Sequence, residues 1–429
     1  MIEIFVEQIS ERLIYSLDFV FKERGMEYKL TNDYLSFENS LFPKFNYSER
    51  HFEGILQMIP AEVLFDEAVF MYALEKSKFE AEECLSFNRI TDPLASIFFV
   101  LSRMEEYTNL REDEHGRFAA SYSIQYEFGW LDKAMCDRWA VAFINHIVRY
   151  YNLDLQLHID KVKIKPTFDI DNTFAYKWKQ GFRKWLSIAR DRIQMNKKRL
   201  EERKAVLKMK LKDPYDTYDY IESICERGYE VKMFWLLGDY ATYDKNISHS
   251  DIRHQKLICR MGEKAVVGLH PSYKSNSYEL FVKEEKARLE NILETDIESS
   301  RQHFLKLKVK ITYPNLVSLG FKKDYSMGYA DQVGFRNGTA RPYFWFDLTK
   351  NQITDLMIYP FVYMDGTLNE YLQLAIDESK NVIWKLHCEV TRFGGDFSFI
   401  WHNETIGDYG KWKGWSEVLE YTLSLKNRT

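Results

Sequence analysis

After residue 153 the chain settles into short apolar runs separated by longer stretches with helical spacing. The runs at 162–168, 231–237 and 265–269, a short one ending near 301, and those at 322–327, 354–359 and 397–401 read as seven strands of βα units. The predicted fold class is α/β, with a distorted (β/α)7-type barrel over 153–429. In such barrels the chemistry gathers at the carboxyl ends of the strands. Residues 1–152 read differently, as a smaller α+β domain with no role legible in its residues. Two of its stretches have helical spacing: 94–107, opened by Asp92 and Pro93 as cap and first-turn residue, and 132–151, with Met135, Trp139, Ala142, Phe143 and Ile147 on one side. A strongly basic, amphipathic stretch at about 177–213 breaks the barrel rhythm. It reads as a helical insertion in a βα loop, with contact to a membrane surface or another polyanion as the alternative role.

Composition narrows the classes. The 429 residues are 45% hydrophobic and 29% charged, enough to bury sizeable cores in two domains. A net charge of −5 gives no nucleic-acid footprint. The N-terminus lacks the basic and then apolar pattern of a secretory signal, and no apolar run approaches the ~18–20 residues of a membrane span. The expected location is therefore cytoplasmic. Five scattered cysteines without a Cys-x-x-Cys pair fit a reducing compartment and a role as buried thiols. The 28 Tyr, 30 Phe and 10 Trp are mostly core by expectation.

Polar residues at strand ends carry the candidate chemistry. Asp169 and Asp171 follow the run 162–168, His270 follows 265–269, Arg301 and His303 follow a short strand, and His402 closes the last one. Two carboxylates at alternate positions beyond a buried strand are costly unless they hold a cation or share acid–base work. The loop Gly334-Phe-Arg336-Asn-Gly-Thr-Ala-Arg341-Pro-Tyr343-Phe-Trp345 reads as part of a substrate groove, and Tyr273 and Trp401 stand beside the strand-end residues. Flat rings suit sugar faces, and a guanidinium can hold an anionic substituent with two hydrogen bonds.

In order, Thr167-Phe-Asp-Ile-Asp171, His270-Pro-Ser, Arg301-Gln-His-Phe, Leu319-Gly-Phe-Lys-Lys-Asp-Tyr-Ser326 and Trp401-His-Asn resemble the motifs of the polysaccharide deacetylases, carbohydrate esterase family four. The first region resembles the uncharacterised domain that precedes such modules in bacterial relatives. The resemblance implies a hydrolase that removes N- or O-acetyl groups from a carbohydrate with a divalent metal, zinc first, then cobalt, nickel or manganese. It further implies Asp169 as general base, Arg301 as the residue orienting it, His402 as general acid, and Asp171 and His270 as metal ligands. The substrate-binding residues expected beside them are Arg336, Tyr343, Trp345, Trp401 and Tyr273.

Two departures stand out. Ile170 separates aspartates that are adjacent in the family, and Lys274 falls where the family has its second metal histidine. A protonated lysine offers no lone pair, so His303 is assigned as the third ligand. Without it the domain reads as a catalytically silent sugar-binding relic. A second pattern competes: Asp169-Ile-Asp171-Asn-Thr173, with Gly238-Asp239 and Asp244, resembles haloacid-dehalogenase-type phosphatases. That alternative leaves His270, Arg301, His303 and His402 without work.

Overall fold

The computed structural model describes residues 1–179 and 197–427. Residues 180–196 of the basic stretch, including Arg183, Lys184, Trp185, Arg190 and Arg192, lie outside the described residues. Its described end forms a helix, Lys197–Leu207, with Arg203 over the Tyr176 ring. Asp213 ties the segment down by accepting from the backbone N–H groups of Ala175, Tyr176 and Lys177 at 2.8–3.0 Å. Among the described residues no helix is long and apolar enough to cross a membrane.

The fold is mixed α/β. In the first region β1 (Ile2–Phe5), β2 (Tyr28–Thr31), β3 (Lys44–Tyr47) and β4 (Leu56–Met58) make a parallel sheet in the order β2-β1-β3-β4. An antiparallel meander follows, β5 (Leu74–Phe79), β6 (Glu82–Phe87) and β7 (Ile90–Thr91). The two expected helices are present. Pro93–Leu101 is capped by Asp92, whose carboxylate accepts from Leu94 N and Ala95 N, and Met135–Tyr150 buries Trp139 and Phe143. The first helix stops earlier than its apolar pattern suggests, because Arg103 turns left-handed at φ 56°.

Among the described residues the second region holds nine strands: β8 (Lys163–Ile170), β9 (Lys232–Leu236), β10 (Val266–His270), β11 (Ser299–Ser300), β12 (Lys323–Asp324), β13 (Tyr343–Asp347), β14 (Gln352–Ile358), β15 (Tyr363–Met364) and β16 (Asp396–His402). Each of the seven expected runs overlaps one. Their order is β13-β14-β12-β11-β10-β9-β8-β16-β15, parallel except for β13, which pairs antiparallel with β14 as an edge. No ladder joins β13 to β15 among the described residues, so the sheet is not closed by hydrogen bonds. It is nonetheless curled: Lys165, Lys232, Val266, Ser299, Lys323 and Asp396, from six different strands, line one cavity of about 430 Å³ at the amino ends.

One hydrophobic core runs from Ile2 to Leu425 through both regions. The loop 334–341 lies where they meet. Phe335 N–H donates to Leu131 O at 2.7 Å, and a side chain at Gly334 (φ 118°) would put Cβ 2.0 Å from that same oxygen. The five cysteines are free; Cys84 and Cys136 are buried as expected, whereas Cys259 and Cys388 are exposed on helix faces.

Candidate active site

Parallel strands deliver their carboxyl ends to one side of a sheet, and the order places β16, β8, β9, β10 and β11 side by side. Along β8 the side chains alternate, so Phe168 and Ile170 pack away from Asp169. Asp169 is 3% exposed and sits opposite His402 in the β8–β16 ladder. Asp171 stands in the turn just beyond β8. The fully buried Arg301 donates from Nη1 to Asp169 Oδ1 at 2.7 Å and from Nε to Tyr325 O at 3.0 Å, which fixes its plane.

Two imidazoles face Asp171. His270 donates from Nδ1 to Arg301 O at 2.5 Å, leaving Nε2 at 3.1 Å from Asp171 Oδ1. His303 has Nδ1 at 2.9 Å from Asp244 Oδ1 and Nε2 at 3.4 Å from Asp171 Oδ2. Asp244 is held in turn by Tyr273 N–H at 2.9 Å. His402 completes the ring from the other side: its Nδ1 lies 2.8 Å from Asp365 Oδ1, while Asp365 Oδ2 accepts from His402 N–H at 2.9 Å and from the Thr405 hydroxyl at 2.6 Å. These groups line a cavity of about 180 Å³, together with Arg117, Tyr371, Trp412 and Glu404.

Charge follows the geometry. Burial alone would raise the Asp171 carboxyl, but the imidazoles of His303, His270 and His402 reverse this and hold it well below the usual carboxylate range. Burial likewise opposes a charge on His303, yet Asp171 and Asp244 push it up to about 9. For His402 burial is overcome by Asp365 and then by Asp171 and Asp169, which raise it well above an ordinary imidazole. Glu404, buried and facing the Asp171 charge, is pushed up to about 7.

The donor set fits a divalent cation. Asp171, His270 and His303 each offer one atom within 4.8 Å of the others. Both histidines have Nδ1 engaged by an oxygen, the arrangement that commits Nε2 to a metal. Asp171 Oδ1 is buried and accepts no hydrogen bond of good geometry. Three protein ligands with room beside them is the composition of catalytic rather than structural zinc sites.

The structure thus brings together Asp169, Asp171, His270, Arg301, His303 and His402. It does not bring Arg336, Tyr343, Trp345 or Trp401 to the cavity. Arg336 is buried in a two-pronged ion pair with Glu106, donating from Nη2 at 2.7 Å and from Nε at 3.0 Å. Tyr343 and Trp345 lie in the edge strand β13 and face inward, 5% and 2% exposed, because the alternation of β13 turns Phe344 outward instead. Trp401 is fully buried beneath His402, one residue out of phase with the cavity. Tyr273 does stand near, in a cluster with Tyr243, Phe304 and His115. Lys274 is exposed with its Nζ over the Phe281 ring, away from the cluster. Of the acids in the competing pattern, Asp239 is exposed and paired with Arg288, while Asp244 serves His303.

Sequence reasoning did not name Asp365 or Glu404 and gave Asp244 a different task. Asp365 follows the apolar run Phe361-Val-Tyr-Met364 and obeys the strand-end rule, but β15 is two residues long and shows no periodicity. Asp244 lies 59 residues from His303, with no local pattern to join them.

Residues 2–152 match a family of unknown function, DUF7033. No curated protein matches the chain. Among solved structures it is similar to a candidate polysaccharide deacetylase from Mycobacterium smegmatis, at 12% identity and TM-score 0.39 over 62% of this chain and 85% of that one. It is also similar to a polysaccharide deacetylase from Bacillus cereus, at 12% identity and TM-score 0.31 over 63% of this chain and 89% of that one. At overlaps this loose the case for function rests on the side chains themselves.

Proposed function

We propose that residues 153–429 form a distorted (β/α)7-type barrel acting as a metal-dependent hydrolase that removes acetyl groups from a carbohydrate, and that residues 1–152 form a separate unit packed against it. The observation that carries this reading is the convergence of Asp171, His270 and His303 on one point, with Asp169 Oδ2 3.8 Å from His270 Nε2 and His402 Nε2 3.8 Å from Asp171 Oδ2. A divalent cation there, zinc first, supplies a Lewis acid that polarises the acyl carbonyl and acidifies water.

The chain's own residues do the rest. Asp169, oriented by Arg301, takes the proton of the attacking water. His402 carries a proton at neutral pH because Asp365 and Asp171 stabilise its charged form. It gives that proton to the departing sugar amine or hydroxyl, so the leaving group departs neutral. Asp365 binds His402 through both its ring and its backbone, which fixes Nε2 toward the cavity. Tyr273, in the ring cluster with Tyr243, Phe304 and His115, is the remaining aromatic side chain assigned to the sugar.

Acetate release from acetylated chito-oligosaccharides, measured before and after chelation and after adding back zinc or cobalt, tests the proposal. Release that is lost on chelation and restored by metal is the expected result. No release from any acetylated glycan with either metal present would overturn it.

A further inference from the structure

The turn that carries His303 is strained in an unusual way. After β11 the chain runs Arg301-Gln-His-Phe-Leu305, and Phe304 and Leu305 are both left-handed, with φ of 60° and 51°. Two successive non-glycine residues in that region persist only where their surroundings impose them, and such sites cluster at functional positions. Part of the imposition comes from the other end of the sequence. Arg117 is 7% exposed and donates from Nη1 to the Phe304 carbonyl at 3.0 Å. Its Nε donates to Asp113 Oδ2 at 2.7 Å, and its Nη2 lies 3.4 Å from the Tyr371 hydroxyl.

Arg117 is itself held. Residues 113–117 fold into a tight turn in which Asp113 Oδ1 accepts from the backbone N–H groups of His115 and Arg117 at 2.9 and 2.8 Å. Asp113 N–H closes the turn onto Arg117 O at 2.9 Å. The His115 ring packs against Phe304 at 5.0 Å and against Tyr273 at 5.9 Å. Tyr273 in turn anchors Asp244, the partner of His303. The turn therefore reaches His303 along two routes, through the Phe304 carbonyl and through Tyr273 and Asp244.

We propose that Arg117, supplied by the first region, is a positioning residue for His303: it clamps the Phe304 carbonyl and so aims the His303 imidazole at the metal point. The first region, on this account, is part of the metal site rather than an appended module. The inference rests on the metal reading above only for its consequence, since the aiming of His303 is a property of the metal-free chain.

The full-length chain, labelled with 13C-histidine, tests it in two arms. In metal-free protein the His303 ring resonance, assigned by its disappearance in His303→Ala, shifts in Arg117→Ala and returns toward its original position in Arg117→Lys. In a cobalt(II) titration Arg117→Ala weakens binding about ten- to a hundredfold, the usual cost of losing a group that orients a ligand, and changes the visible cobalt spectrum. In the His303→Ala background the same substitution adds less than about twofold, because the two residues act as one unit. An unmoved His303 resonance, or an equal loss of cobalt affinity with and without His303, overturns the proposal. If the wild-type chain binds no cobalt, the metal reading falls alone and the resonance still decides. Should Arg117→Ala fail to fold, Asp113→Asn loosens the same guanidinium and gives the same resonance shift; no shift there is the overturning result.

Discussion

The strand-end cluster around Asp171 and the loop 334–341 are both rich in charge and both withdrawn from solvent, but their polar atoms are engaged differently. In the loop each guanidinium is paired with a carboxylate and a backbone carbonyl. Arg336 satisfies Glu106 and the Gly328 carbonyl, and Arg341 reaches Asp137 at 3.1 Å and the Phe393 carbonyl at 2.6 Å. Arg103, from the first region, binds Glu106 at 2.8 Å and Glu105 at 2.7 Å. In the cluster each imidazole is engaged through Nδ1, and the three Nε2 atoms all turn toward the one Asp171 carboxylate, at 3.1, 3.4 and 3.8 Å. Buried charge that closes on itself joins two pieces of chain, whereas buried charge left open toward a common point is equipment for a ligand.

The sharpest way to break that contrast is to change one residue on each side. Asp169→Asn keeps the volume and an acceptor for Arg301 but removes the proton-accepting oxygen. It is expected to lower kcat by about a hundred- to ten-thousandfold, with a smaller loss of thermal midpoint than Arg336→Ala because Arg301 keeps an acceptor, as steady-state acetate release and a melting curve check. Arg336→Ala should do the reverse. It takes from the buried Glu106 one of its two guanidinium partners; burial would raise that carboxyl, and Arg336 and Arg103 together hold it low. Removing one partner of such a pair costs about 3–5 kcal/mol of stability, read by urea denaturation, and cobalt affinity of the folded fraction should stay within about twofold. A stable Arg336→Ala chain with impaired sugar binding would return that loop to the groove.

The same contrast explains what could be read from the sequence. Seven strands and the residues beyond their ends were legible because burial on both faces forces near-continuous apolar runs, and a carboxylate or imidazole ending such a run is conspicuous. At Lys274 the exposed side chain lies over Phe281, away from the cluster, and His303, assigned as ligand in its place, is grouped with Asp171 and His270. The loop 334–345 misled because rings and guanidiniums look alike in sequence whether they meet a sugar or another part of the chain. Arg336 finds its partner 230 residues away, in a region with no recognisable activity. β13 hid for a related reason: its pattern Tyr-Phe-Trp-Phe-Asp is apolar on both faces at an edge, because the first region covers it, with Tyr15 donating to Phe344 O at 2.7 Å and its ring 5.3 Å from Phe346.

The gentlest test uses only pH. Without metal, His303 has its proton affinity raised from the ordinary 6.5 to about 9 by Asp171 and Asp244, against the opposing effect of burial. A group raised in the folded state contributes stability that is complete below its unfolded value and lost as pH climbs through the folded one. The chelated chain should therefore lose stability between about pH 6.5 and 9. A metal needs the neutral imidazole, so binding displaces that proton, and affinity should rise about tenfold per pH unit up to about 9. With saturating zinc the slope of melting temperature against pH between 6.5 and 9 should accordingly be less negative than with chelator, or positive. The loop is no part of this difference, because its arginines pair with Glu106 and Asp137 rather than with the groups at the metal point. Parallel slopes with and without metal would mean that His303 keeps its proton and is no ligand, and the cluster would then join the loop as charge that closes only on itself.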